Sequence, residues 1–208
     1  MVFAPLVGMI SYVYFFWALP LQATAFMINL GSLMPELAIY FPYGIDDNAR
    51  LFKDFGARLA VNVVLLGVFA IPHSIFARPV VKQWIGAPTL YRPLYVFKSA
   101  ACLHLLIAYW QPVFETTVWS FSNPTIPLIG YGLGWFWLVT STFAIDHFEL
   151  FGVKQSLGID LYSLVGLQPG DGMVERAHYA VCRHPIMLGF FIMFVSVPPP
   201  AARTQHRT

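Results

Sequence analysis

Four stretches of the chain approach the roughly 20 consecutive apolar residues that an α-helix needs to cross a bilayer. They cover about residues 3–30, 59–76, 94–113 and 126–148. A fifth apolar run, at residues 186–197, reaches only about 18 Å of a hydrocarbon core about 30 Å thick. The pattern therefore predicts an all-α, polytopic helical membrane protein with four full transmembrane helices and a short fifth helix.

Two prolines interrupt these stretches. Pro20 is expected to kink the first helix and Pro72 to bend the end of the second, because proline removes a backbone donor. The first stretch lacks the basic start and short apolar core of a signal peptide, so it is interpreted as a spanning helix. Residues 199–208 are polar and proline-rich. They are predicted to form a disordered tail, which leaves residues 1–198 as one helical membrane domain.

Composition supports a membrane protein and argues against several other classes. Of the 208 residues, 58% are hydrophobic and 11% are charged, against about 25% charged in ordinary soluble domains. A net charge of +2 is too small to indicate nucleic-acid binding, and there is no polybasic lipid anchor. Two cysteines, Cys102 and Cys182, are too few for a disulfide framework and are interpreted as packing thiols. A catalytic role for Cys182 stays open, because Arg183 and His184 follow it.

Basic residues are distributed unevenly among the connecting segments. Those that follow the second and fourth helices are Arg78, Lys82, Arg92, Lys98, Lys154, Arg176 and Arg183. The loop after the third helix contains Glu115 and no lysine or arginine. The positive-inside rule therefore places the two basic loops in the cytoplasm. The loop after the first helix contradicts this assignment, since it carries Arg50, Lys53 and Arg58.

Arg183, His184 and Pro185 directly precede the fifth apolar run. Proline suits the first position of a helix, where its missing N–H would be unpaired anyway. A helix start offers free N–H groups and partial positive charge, so this one could hold the carboxylate or phosphate of a ligand. The alternative is a plain interfacial anchor, with arginine and histidine marking where the bilayer stops.

Other polar groups are predicted at the same cytoplasmic level. His73 ends the second helix, and Asp146, His147 and Glu149 end the fourth. Each could be an interfacial residue, but their common level favours a shared site. No metal is expected, because the histidines lack a two-histidine ligand spacing. His104 could pair with another histidine as a haem ligand, although a buried histidine is more often hydrogen-bonded core. Nucleotide-binding and hydrolase motifs are missing.

Three motifs resemble those of the isoprenylcysteine carboxyl methyltransferase superfamily of membrane enzymes, and within it the thiol methyltransferases that act on methanethiol. The Arg-His-Pro-x-Met-Leu-Gly-Phe pattern, with an upstream tyrosine, matches Tyr179, Arg183, His184, Pro185, Met187, Leu188, Gly189 and Phe190. The Asn-His-Phe-Asp-Leu-Phe-Gly-x-x-Gln pattern is kept at His147, Phe148, Leu150, Phe151, Gly152 and Gln155. The His-Ser-x-x-Ala-Arg pattern matches His73, Ser74, Ala77 and Arg78.

The resemblance implies methyl transfer from S-adenosylmethionine to methanethiol, giving dimethyl sulfide. It places the cofactor against Tyr179, Arg183, His184, Pro185 and Gly189. The sulfonium carbon is already electrophilic, so the protein mainly aligns the attack and excludes water. A histidine would favour the thiolate, and the candidate bases are His73 and His147. The expected partners are a small thiol and the lipid bilayer.

The chain departs from the superfamily pattern at three points. Asp146 replaces an asparagine, and Glu149 replaces an aspartate. Superfamily members continue with another helix that bears paired glutamates, whereas the resemblance here fades after Pro198, which is expected of a truncated, alternatively spliced or frameshifted product. Two alternatives stay open: an enzyme with another acceptor, such as a prenylcysteine carboxylate or a lipid amine, and a non-catalytic, denitrification-linked or haem-associated membrane protein.

Overall fold

The computed structural model describes residues 3–46, 48–113, 123, 125–164 and 177–197, without the side chains of residues 32 and 33. These residues contain helices and no β-strand, which confirms the predicted all-α class. A π-helical segment (Trp17–Ala23) and a 3-10 helix (Pro35–Leu37) accompany the α-helices. The α-helices are α1 (Phe3–Phe16), α2 (Thr24–Met27), α3 (Leu30–Leu33), α4 (Phe55–Phe76), α5 (Pro79–Ile85), α6 (Tyr91–Tyr109), α7 (Thr125–Phe143), α8 (His147–Leu150), α9 (Val153–Leu157), α10 (Leu161–Leu164), α11 (His178–Val181) and α12 (Pro185–Val195).

Three helical segments in the described part of the chain are long and apolar enough to cross a membrane: Phe3–Met27, Phe55–Phe76 and Thr125–Phe143. The third predicted span, residues 94–113, corresponds to α6, a helix of 19 residues that is not among them. Arg92, Lys98 and His104 lie within it and lower its hydropathy. α12 is the short apolar helix that was predicted, with 11 residues.

The two prolines have different effects. Pro20 lies in the π-helical segment that connects α1 to α2, so the helix changes its geometry where the sequence predicted a kink. α4 continues through Pro72 as far as Phe76. The tail and the boundary at residue 198 lie outside the described residues.

The fourth predicted span, at residues 126–148, is too long by several residues. α7 ends at Phe143, and Asp146 and His147 lie beyond a turn, at the start of the separate short helix α8. Three successive hydroxyl side chains near the end of α7 bond back to its carbonyls: Thr140, Ser141 and Thr142. Asp146 then takes a φ of 140°, which ends any regular helix. The hydrophobic pattern continues through this turn and therefore does not reveal it.

Two helical groups make up the described fold. In the first, α1 packs against α6 and α9, and α4 packs against α6. In the second, α7 packs along α12 around a core of Tyr131, Leu138 and Met193. Thr24 links the groups, since its Oγ1 accepts a hydrogen bond from Trp135 Nε1 at 2.9 Å.

Glycines allow α7 and α12 to approach closely. A Cβ atom on Gly189 would lie 2.9 Å from Leu138 N and 3.0 Å from Gly134 O. A Cβ atom on Gly134 would lie equally close to the backbone of Met193. Small residues at helix crossings are a common means of packing in membranes, where apolar side chains gain little by leaving lipid. This contact holds α12 close against α7.

A buried polar cluster joins the start of α4 to the end of α6. Asn62 Nδ2 donates to Gln111 O at 2.7 Å, and Gln111 N donates to Asn62 Oδ1 at 2.8 Å. Asn48 Nδ2 donates to Ile107 O at 2.7 Å, and Arg58 Nη1 donates to Pro112 O. The cluster therefore lies at one end of the first helical group, and the predicted site lies at the other end.

Candidate functional site

The end of α4, the start of α6 and the segment after α7 meet at one end of the molecule. Tyr91 Oη donates a hydrogen bond to Phe76 O, which joins α6 to the end of α4. Arg92 Nε donates to Leu150 O at 2.7 Å, which joins α6 to α8. The His73 and His147 motifs therefore lie at the same end of the molecule, as the sequence predicted.

His73 is held by two side chains of α6. Ser99 Oγ lies 3.1 Å from Nδ1, and Tyr95 Oη lies 3.0 Å from Nε2. Ser99 Oγ already donates its proton to Tyr95 O at 2.8 Å, so it accepts from Nδ1–H. Nε2 is then the unprotonated nitrogen and accepts from the Tyr95 hydroxyl. His73 thus presents its unprotonated nitrogen to the phenol of Tyr95.

Two cations lie beside His73. Lys98 Nζ is 4.6 Å from the ring centroid of Phe76 and 5.2 Å from that of Tyr95. The guanidinium carbon of Arg92 is 5.5 Å from the same Tyr95 ring. Lys98 Nζ is buried and has no hydrogen-bond partner among the described residues. The surroundings of His73 are therefore positive, which favours an anion such as a thiolate.

His147 has both ring nitrogens engaged within the protein. Thr142 Oγ1 lies 2.7 Å from Nδ1, and Tyr12 Oη lies 2.8 Å from Nε2. Thr142 donates to Val139 O, so His147 donates from Nδ1 and accepts at Nε2. Burial lowers the pKa of His147 to about 4, against a smaller opposing effect of Asp146. His147 is therefore neutral near pH 7, and a proton reaches it only through Tyr12 or after Tyr12 moves.

Asp146 anchors the turn that carries His147. Its Oδ1 accepts from Glu149 N at 2.9 Å and caps α8, as an asparagine could also do. Its added charge is balanced by Lys154, whose Nζ lies 3.2 Å from Asp146 Oδ2, 3.3 Å from Glu149 Oε2 and 3.1 Å from Asp160 Oδ2. Hydrogen bonds to these carboxylates, Asp160 first, raise the pKa of Lys154. Asp146 and Glu149 are the two residues that depart from the superfamily pattern. Lys154 therefore pairs with the carboxylates at both positions.

The Arg-His-Pro motif forms the start of α12. Arg183 and His184 are exposed, His184 is the N-cap residue, and no side chain caps the helix. Pro185 is buried in the first turn, and Gly189 lies against Leu138 of α7. The first N–H groups of an 11-residue helix therefore remain available next to two cation-capable side chains.

His178 and Trp137 lie next to this motif, and the sequence analysis missed both. Thr140 Oγ1 donates to Phe136 O at 2.6 Å, so it accepts from His178 Nε2, 2.9 Å away. His178 Nδ1 is then an acceptor, and Trp137 Nε1–H is a donor. Both atoms are buried and unpartnered among the described residues. The position of His178, directly before Tyr179, was the available clue.

The last turn of α7 connects the predicted site residues. Thr142 contacts His147, and Thr140 contacts His178, the residue before Tyr179. His73 is connected to α8 through Tyr95, Arg92 and Leu150. His104, considered as a haem ligand, has Nδ1 3.1 Å from Tyr14 Oη. His147 and His178 thus share the last turn of α7 as a support, whereas His73 forms a neighbouring group.

An all-helical bundle with membrane-length apolar helices and a polar end defines a helical membrane protein. Comparison with known proteins then gives its relatives. The chain is 39% identical over 151 residues to the methanethiol S-methyltransferase of Mycobacterium tuberculosis. It is 34% identical over 167 residues to that of Crocosphaera subtropica, and 33% identical over 155 residues to nurim of Danio rerio. The predicted resemblance to methanethiol S-methyltransferases is confirmed.

These alignments cover more of this chain than of the relatives. They include 69%, 77% and 67% of this chain, but 59%, 63% and 54% of the respective relatives. The chain therefore spans less than two thirds of the length of the curated proteins that it matches. No protein-family model and no solved structure matches it.

Proposed function

We propose that this protein transfers a methyl group from S-adenosylmethionine to methanethiol and forms dimethyl sulfide within a membrane. The observation that carries the proposal is the similarity to methanethiol S-methyltransferases over 151 and 167 residues. The geometry supports it, because the motifs occupy one end of the bundle, where a polar donor and an apolar acceptor can both arrive.

S-adenosylmethionine would be held at the start of α12. The uncapped helix start, Arg183 and His184 suit its carboxylate, and Gly189 keeps α12 close to α7. Tyr179 and Pro185 border this region, and the free donor of Trp137 and free acceptor of His178 suit the polar edge of a heteroaromatic ring. The described residues therefore fit this cofactor, which supplies an electrophilic methyl group when bound.

The chain's own chemistry is to make and orient the thiolate. Of the two predicted bases, we favour His73, because Arg92 and Lys98 lie beside it. The Tyr95 hydroxyl can turn from Nε2 towards His73 O, 3.3 Å away. Nε2 then accepts the thiol proton, and sulfur bonds to the methyl carbon as the bond from that carbon to the donor's sulfur breaks. His147 would act less directly, by holding Tyr12.

We propose that this end of the molecule faces the cytoplasm, where S-adenosylmethionine is available. Exposed Arg78, Lys82 and Arg183 lie at or near it. The basic residues after the first helix argue against this orientation, but one of them, Arg58, should not be counted. Arg58 is only 6% exposed and is bonded to Pro112 O, so it serves the fold and does not act as a free loop cation.

The donor site can be tested with His184→Ala in the full chain, reconstituted in lipid. Calorimetry should show S-adenosylmethionine binding at least about tenfold weaker, since one charge-assisted contact contributes about 1.5–3 kcal/mol. Lys82→Ala, which removes an exposed cation elsewhere at the same end, should bind normally. Unchanged affinity in His184→Ala would refute the site. A parent protein that shows a Soret band and binds no S-adenosylmethionine would favour the haem-associated alternative.

The base and the acceptor need separate measurements. His73→Gln should lower the rate of dimethyl sulfide formation by about 10²-fold or more and flatten its pH profile, while donor binding stays normal. Gas chromatography of the headspace measures the product. A panel with prenylcysteine and lipid amines separates the acceptors, and a preference for either over methanethiol would overturn the thiol assignment.

A further inference from the structure

The short helix α5 is amphipathic, although it follows directly after a membrane-length helix. Val80 is 74% exposed and Trp84 is 85% exposed, and their i, i+4 spacing places them on one face. Ile85, 40% exposed, extends that face. Lys82 and Gln83 lie on the opposite side, where they line a hollow of about 390 Å³.

α5 leaves its apolar face uncovered by the described protein. It packs chiefly against the end of α4. α4 is itself a membrane-length helix that ends at Phe76, three residues before α5. Exposed Ile71 and Ile75 continue the apolar surface of α4 down to this point. α5 therefore begins where a spanning helix leaves the hydrocarbon core.

The charges around α5 have one sign. Residues 77–93 contain Arg78, Lys82 and Arg92 and no aspartate or glutamate. Tryptophan is enriched where membranes meet water, and basic residues beside an apolar helical face attract anionic headgroups. We propose that α5 lies in the membrane surface, inserts Val80, Trp84 and Ile85 among the acyl chains, and holds anionic phospholipid headgroups with Arg78 and Lys82.

Size and continuity favour lipid over a protein partner. A whole tryptophan side chain has about 150–250 Å² of surface, and Trp84 is 85% exposed. With Val80 and Ile85, this face therefore offers roughly 300–400 Å², below the about 800 Å² per partner of a stable protein interface. The face also continues the lipid-facing surface of α4. This inference concerns a surface outside the proposed catalytic groups and does not depend on the reaction.

Depth measurements on the full chain test the insertion. In a Cys102→Ser, Cys182→Ala background, a nitroxide label is attached to Trp84→Cys, Val80→Cys or Gln83→Cys, and each protein is reconstituted in vesicles of phosphatidylcholine and phosphatidylserine. Power saturation with oxygen and a nickel chelate should place labels 80 and 84 about 5–10 Å below the headgroups and label 83 in water. Equal aqueous exposure of all three labels would overturn the proposal. So would a label at 84 that is shielded from both reagents, because protein would then cover this face.

The lipid charge is tested with Arg78→Gln/Lys82→Gln. Spin-labelled phosphatidylserine should associate with the parent more strongly than phosphatidylcholine does, and the double variant should lose about fivefold of that preference per removed charge. Lys53→Gln, an exposed cation before α4, should keep it. Added inorganic phosphate should not compete, since the site takes a headgroup in a surface and not a free anion. Competition by free phosphate, or an unchanged preference in the double variant, would overturn the headgroup assignment.

Discussion

Gly134 lies at a close approach of α7 and α12, and Gly134→Ala tests whether this contact positions the candidate site. A Cβ atom there would lie 2.6 Å from Met193 Cγ, 2.9 Å from Met193 N and 3.0 Å from Gly189 O. Two of these atoms belong to the α12 backbone, so no change of rotamer can make room. Gly132→Ala is the matched control in the same helix, because a Cβ atom at Gly132 meets nothing within 4 Å.

The cost follows from the separation that the methyl group imposes. Carbon atoms in contact normally lie about 3.5–4.0 Å apart, so α12 must retreat by roughly 0.6 Å. Each pair of non-bonded atoms in contact gains about 0.1–0.2 kcal/mol of dispersion attraction, and a gap of this size removes about a quarter of it. Over about 40 contacts, the number that one buried leucine makes, the loss is about 1–2 kcal/mol. Overpacked cores lose a similar amount, about 1–3 kcal/mol.

Reversible unfolding of both variants in mixed lipid and detergent micelles measures this difference. Both gain the helix propensity of alanine, about 1 kcal/mol, so Gly134→Ala should be less stable than Gly132→Ala by about 1–2 kcal/mol. The affinity for S-adenosylmethionine should fall only in Gly134→Ala, since α12 carries Arg183 and His184 at its start. Equal unfolding free energies in the two variants would refute the packing argument.

Three further changes test other parts of the structure. The pKa of His147 is about 4 in the fold, against about 6.5 when unfolded. Its contribution to the free energy of unfolding is therefore complete above about pH 6.5, and about 3 kcal/mol of it is lost as the pH falls to about 4. His147→Gln should remove that part of the pH dependence of unfolding. Asn62→Leu strands the backbone N–H and C=O of Gln111 and should cost about 2–5 kcal/mol, whereas Val64→Ala, at an exposed position of the same helix, should change the unfolding free energy little. Gly8→Ala brings a Cβ atom 1.9 Å from Ser156 Oγ and 2.5 Å from Ser156 Cβ; Ser156→Gly should rescue it, with a coupling energy above about 1 kcal/mol in a double-mutant cycle.

The sequence predicted the features that depend on local pattern. Each apolar stretch became a helix, Pro20 falls in the segment of altered helical geometry, and Pro185 begins the last helix. These predictions succeed because apolar length and proline act within a few residues of themselves. The motifs also predicted the relatives correctly.

The partners of the candidate site residues could not be predicted in the same way. Tyr12 and His147 are separated by 135 positions, and Asn62 and Gln111 by 49. Hydrophobic periodicity contains no information about which distant polar groups pair. The end of α7 was placed too late for a related reason, since residues 144 and 145 are apolar and only the backbone at Asp146 reveals the turn.

The arrangement of hydrogen bonds suggests why two histidines with similar surroundings should differ in use. Each has a hydroxyl residue at Nδ1 and a tyrosine at Nε2. Tyr95, however, has a second acceptor in His73 O, so its hydroxyl can release Nε2 without losing its hydrogen bond. No alternative acceptor for the Tyr12 hydroxyl is found among the described residues. Releasing His147 therefore leaves the half-buried phenol of Tyr12 without a protein acceptor. The proton acceptor should be His73, because the hydroxyl of Tyr95 has an alternative acceptor.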